Sequence, residues 1–162
     1  MRKGEKGILV GIGAFALAAM AWKAVEVSQT TDQDYEIPYY STASSEVEHK
    51  AGMLIKQQGC KDCHTLWATR NVMRNVPSPR LDGIGSIRDE DWLYRYLSAE
   101  DPQSILPSRL KDEYEMPSYA DLPEQDRQVL AKYLSSLKVK DWYLEETRRS
   151  EYEKLTGKKY QP

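Results

Sequence analysis

Apolar residues fall into four blocks along this chain, each with its own spacing. From Ile8 to Trp22 they run for fifteen positions, behind Arg2, Lys3 and Lys6 and ahead of Lys23. Such a run is either a secretory signal or a short membrane anchor. Ala19-Met20-Ala21 has the small-x-small pattern of a cleavage site, and fifteen residues are few for a bilayer. Gly7, Ala24 and Val25 lengthen the run, Lys23 can snorkel and Trp22 suits an interface. We read residues 1–25 as a retained anchor; under either reading the basic end stays in the cytoplasm and the rest is exported.

Residues 26–44 are polar, carry Pro38 and read as a linker. About twenty flexible residues have a root-mean-square span of roughly 25 Å, enough for a tethered domain to move above a membrane. Tyr39 and Tyr40 interrupt the polar run, and either pack locally or dock on a partner.

The other three blocks have helical periodicity. Ser45-Glu46-Val47-Glu48 is a capping-box pattern, followed by Val47, Ala51, Leu54 and Ile55 on one face and by Gly59 at the stop. Gly52 lies on the apolar side of this helix, where a missing Cβ lets another helix approach. A second helix is expected from about Glu90 to Ser98, capped by Asp89, with Trp92, Leu93, Tyr96 and Leu97 on one face. A third starts at Pro123 and carries Val129, Leu130, Tyr133, Leu134 and Leu137. No repeat and no convincing strand alternation is present, so the domain is expected to be all-α.

Residues 140–162 extend beyond that core. Glu145/Arg149 and Arg149/Glu153 are four apart and Gly157 can stop a helix, while Trp142, Tyr143, Leu144, Tyr152 and Leu155 form no clean stripe. A solvated helix packed back on its own domain is the plain reading, and a docking element for a partner subunit is the sharper one. The sharper one is carried forward as the expectation.

Composition narrows the class. The 162 residues are 40% apolar and 30% charged, with a net charge of −2. Arg2, Lys3, Lys6 and Lys23 against Glu5 give the first 23 residues +3, which leaves −5 for the remainder. An acidic exported part argues against nucleic-acid binding.

The chemistry is concentrated in Cys60-Lys61-Asp62-Cys63-His64, which uses the only two cysteines of the chain. Cys-x-x-Cys-His is the covalent attachment signature of a c-type haem. Two thiols on one turn reach two vinyl groups, and the adjacent imidazole becomes an axial iron ligand. Structural zinc wants four Cys or His ligands, and His49 and His64 complete such a set awkwardly. A thioredoxin-like pair wants a preceding strand, which is missing. A plain disulfide leaves His64 without a purpose.

The second axial ligand must come from elsewhere. Met1 and Met20 lie in the targeting segment, Met53 is on the first domain helix, and Met73 is only nine residues past His64. Met116 lies in a polar loop before the last helix, with Pro117 fixing the backbone after it and Tyr119 near the ring. Haem proteins of this kind commonly pair His with Met, so Met116 is the expected ligand and His49 the alternative. Trp67 is expected to pack on the haem edge or under it. Arg80 and Arg88 either neutralise haem carboxylates or are solvated.

These elements together resemble a class I c-type cytochrome over about residues 45–139. The matching features are Gly52 before Cys60-Lys61-Asp62-Cys63-His64, then Pro79-Arg80-Leu81-Asp82-Gly83, Met116-Pro117, and a helix bearing Tyr133-Leu134. The resemblance implies one covalent haem c, a Pro79 carbonyl accepting from the His64 ring, and Gly52 meeting Tyr133 or Leu134 at a helix crossing. It further implies one-electron transfer, with no open iron site for a substrate, and not an enzyme by itself. The additions at both ends resemble cytochrome subunits of membrane respiratory complexes, such as haem–copper oxidases and nitric oxide reductases. That architectural likeness implies redox partner proteins and a bacterial inner membrane, with the haem domain in the periplasm. The reading from another class is a haem enzyme or gas sensor with a displaceable distal ligand.

Overall fold

The computed structural model describes residues 3–30, 36–73 and 76–161; within the first helix, side chains are described for residues 11–25. The chain divides into two units, 1–37 and 38–162.

The first unit contains helix α1 (Lys3–Thr30). It runs through residues 26–30, expected as the start of the linker. Among its described side chains, Phe15 is 80% and Trp22 77% exposed. The expected anchor over 1–25 falls partly on residues outside the described ones. Among the described residues, no helix is long and apolar enough to cross a membrane.

The second unit contains β1 (Tyr39–Ser41), α2 (Ser45–Gln57), α3 (Glu90–Ser98), α4 (Glu124–Ser136), β2 (Leu137–Val139) and α5 (Leu144–Thr156). The helical periods foresaw α2, α3 and α4 to within about a residue. The N-cap of α2 is Ser44 rather than Ser45, its Oγ accepting from the Val47 amide at 3.4 Å. Asp89 caps α3 as expected, accepting from the Trp92 amide at 2.7 Å. Pro123 is the N-cap of α4 rather than its first residue.

Helices α2, α3 and α4 enclose the core, with Ala51, Leu54, Leu93, Leu97, Leu130 and Leu134 all buried. The helix crossing differs from the expected one. Gly52 is exposed, and a Cβ there would meet nothing within 4 Å. Ala51 and Ala131, both 0% exposed, are the small residues of the core that α2 and α4 share. One residue is 100° of helix, so Gly52 lies a third of a turn from the buried face. Close backbone approach falls instead to Gly85, where a Cβ would run into the Ser135 carbonyl.

Residues 38–44 do not act as a linker, because β1 pairs antiparallel with β2, Tyr39 opposite Val139 and Ser41 opposite Leu137. The domain is therefore helical with a small two-stranded sheet, not purely α. Three-residue strands carry too little alternation to be read from sequence. Leu137, only 1% exposed, shows that the core continues past α4 into β2.

The tail also belongs to this unit. Tyr39 and Tyr143 meet edge to face, with ring centroids 5.5 Å apart, and Arg80 Nη1 donates to the Tyr39 hydroxyl at 3.0 Å. In α5, Thr147 is buried, and Glu151 pairs with Arg88 at 3.3 Å. Arg109 Nε donates to the Lys154 carbonyl at 3.0 Å. The plain reading of the tail, a helix packed on its own domain, is the one observed.

Candidate functional site

The site begins where α2 stops. The Gln58 amide donates to the Leu54 carbonyl at 2.8 Å, and Gly59 turns the chain in the left-handed region at φ +64°. A short 3-10 turn, Cys60–Asp62, follows. The His64 amide donates back to the Cys60 carbonyl at 2.9 Å, so two thiols and an imidazole share one compact turn. Asn71 pins that turn from outside, its Nδ2 donating to Asp62 Oδ1 at 3.0 Å. Both cysteines are free thiols.

The ring of His64 is oriented by the segment from Pro79. Its Nδ1 lies 2.8 Å from the Pro79 carbonyl oxygen. A carbonyl only accepts, so Nδ1 carries the proton and Nε2 keeps its lone pair. Burial pushes the imidazole pKa below its ordinary value, opposed by the Pro79 hydrogen bond. The neutral, metal-ligating form is the one this environment favours.

A cavity of about 560 Å³ opens beside this turn, lined by Cys60, Cys63, His64, Leu97, Met116 and Tyr119 among others. Cofactor sites occupy roughly 300–1,000 Å³. Burial raises the Cys60 thiol pKa, and burial, then the charge of Cys60 and a hydrogen bond to it, hold the Tyr119 hydroxyl far above the usual tyrosine range. Gln103 Nε2 donates to the Met116 carbonyl at 3.0 Å, fixing the loop that carries the thioether.

Of the methionines in this unit, Met116 alone lines the cavity; Met53 and Met73 are 55% and 88% exposed. His49 is exposed on α2 and does not line it. Arg80 reaches the cavity, whereas Arg88 stacks over Trp92 and pairs with Glu151.

Trp67 does not line the cavity. Its indole Nε1 donates to the Tyr133 hydroxyl at 2.9 Å. Leu66 and Thr69 exchange backbone hydrogen bonds at 2.9 and 3.1 Å around Trp67 and Ala68, whose φ values are +52° and +56°. Left-handed backbone costs an L-residue about 1–2 kcal/mol, and here two occur in succession.

Sequence reasoning missed three contributions. Gln103 had no signal. Asp82 stood only as a spacer between Leu81 and Gly83. Glu151, Lys154 and Leu155 of α5 also line the cavity; the spacing of Leu144, Thr147, Glu151 and Leu155 was a weak clue to an inward face.

Two free thiols, an imidazole with Nε2 available, a cavity of cofactor size and apolar walls fit a covalently attached haem. The fold and site thus define a helical haem-attachment domain. A family model described as Cytochrome c matches residues 50–138, more than half of the chain, and the chain belongs to that family. Membership implies a covalently bound haem c, with Cys60 and Cys63 as the cysteines of its attachment motif, and haem-based electron transfer. No curated protein and no solved structure matches the chain.

Proposed function

We propose that this chain is a membrane-tethered one-electron carrier, or the cytochrome subunit of a periplasmic-facing respiratory oxidoreductase, with the haem iron held between His64 and Met116. The observation that carries the reading is the joint lining of one cavity by Cys60, Cys63, His64 and Met116. The haem supplies exchange of one electron between ferric and ferrous states. The protein's part is to hold it. Cys60 and Cys63 would attach it, Pro79 orients His64, and Gln103 steadies the Met116 loop. His64 and Met116 would hold the iron between them, which would leave no site for a substrate, and a thioether paired with an imidazole would favour the ferrous state.

Carbon monoxide added to the reduced protein tests this. A His/Met site shows little spectral change, whereas a large Soret shift favours the haem enzyme or gas sensor. Covalent attachment has its own check. After acid–acetone extraction the polypeptide retains its colour and runs at its own mass plus one haem; a colourless polypeptide removes the thioether assignment.

The tether rests on the apolar run Ile8–Trp22 and the exposed side chains of α1. A retained anchor keeps the protein in the membrane fraction through high-salt and carbonate washes. Cleavage after Ala21 instead yields a protein beginning at Trp22, which N-terminal sequencing reads directly. Redox partners in a membrane respiratory complex and a bacterial inner-membrane location follow from the same reading, and co-purification after gentle detergent extraction identifies them.

A further inference from the structure

Residues 64–67 and 79–82 run side by side, tied by three hydrogen bonds. His64 Nδ1 meets the Pro79 carbonyl at 2.8 Å, the Leu81 amide donates to the Thr65 carbonyl at 2.9 Å, and the Trp67 amide donates to Asp82 Oδ1 at 2.5 Å. The first of these three contacts orients the imidazole, and the last is made by a side chain that is only 3% exposed.

We propose that Asp82 is the positioning residue for the axial histidine: its carboxylate holds the 66–69 turn against residues 79–82 and thereby keeps the Pro79 carbonyl on His64 Nδ1.

The turn needs such a hold. A two-residue hairpin with positive φ at both central positions is normally built from Asn-Gly or similar pairs. Trp67 and Ala68 have no such preference, so the conformation is imposed from outside. Packing does not account for the carboxylate either. Asp82 Oδ2 is buried with no hydrogen-bond partner among the described residues, a costly arrangement that an apolar side chain would avoid. What an apolar side chain cannot do is accept the Trp67 amide, which belongs to a residue in left-handed backbone. Gly83, at φ +80°, follows in the left-handed region.

The inference rests on His64 ligating the iron, which a low-spin spectrum of the unaltered protein reports independently of any variant. The test compares Asp82→Ala with Asp82→Asn in the full-length haem-loaded protein. Hydrogen exchange of the Trp67 amide and His64 Nδ1 protons is followed by NMR in the ferrous state, alongside the reduction potential. Asp82→Ala is expected to speed both exchanges by roughly tenfold or more, the scale of one lost charge-assisted hydrogen bond. It also raises the potential, because a less firmly bonded histidine is a weaker donor to ferric iron. Asp82→Asn also loses the charge but keeps an accepting oxygen, so in both measurements it falls between the unaltered protein and Asp82→Ala. An Ala variant with unchanged His64 exchange and potential overturns the proposal, and so does an Asn variant as perturbed as Ala. If Asp82→Ala acquires no haem, the unaltered protein decides: shared protection of the two protons supports the proposal, and a Trp67 amide exchanging like an exposed loop overturns it.

Discussion

Replacing Met116 with histidine lowers the reduction potential by on the order of 100 mV, a fraction of the roughly 0.8 V that axial ligands span, while the haem stays six-coordinate and low-spin. Imidazole stabilises ferric iron better than a thioether does. The geometry makes the substitution feasible, because Met116 lines the same cavity as His64 and its loop is tied through the Gln103 bond to its carbonyl, which a side-chain change leaves in place. Potentiometry with optical detection measures the shift. An unchanged potential and spectrum point to another ligand. Met73 and His49 then return as candidates, although reaching the iron would require each to leave its exposed position.

Truncation at Lys140 is expected to destabilise the haem domain by on the order of 3 kcal/mol or more, and to alter the haem spectrum. Three losses combine. Thr147 would no longer cover Gly83; a Cβ at that glycine would stand 3.6 Å from the threonine methyl. Arg88 would lose Glu151, its partner at 3.3 Å, while its Nε is buried without a hydrogen bond. The haem cavity would lose the wall formed by Glu151, Lys154 and Leu155. Against a typical total stability of about 5–15 kcal/mol, this is a large fraction. Denaturant melts of the haem-loaded protein and its truncated form, read by haem absorbance, measure it. A truncated form with unaltered stability and spectrum but weaker partner association would return the tail to an assembly role.

The contrast between α5 and α3 explains how much of this fold was legible. In α3, Asp89 marks the start, acidic residues fill the first turn, and Trp92, Leu93, Tyr96 and Leu97 share one face, so local signals agree. In α5 the buried positions are Thr147 and the partly buried Glu151, which read as solvent-facing in sequence. They pack inward because β2 ends beside Gly83 and brings α5 across Arg88. The strands were illegible for a related reason: three residues cannot display a period. Tyr39 and Tyr40 looked like an exception in a linker, and the linker's end is in fact a strand.

Cys60, Cys63 and His64 declare their chemistry through spacing alone, since one turn must present all three groups to one ring edge and one metal. Periodicity likewise suffices for the three core helices, because burial on a helix repeats locally every three to four residues. Distance along the chain hides everything else. Whether the Pro79 carbonyl meets His64, which methionine lines the cavity, where Trp67 points, and whether Asp82 holds a strained turn all depend on segments many residues apart being packed together. Those pairings are settled by the collective burial of the core, which no local window of sequence contains.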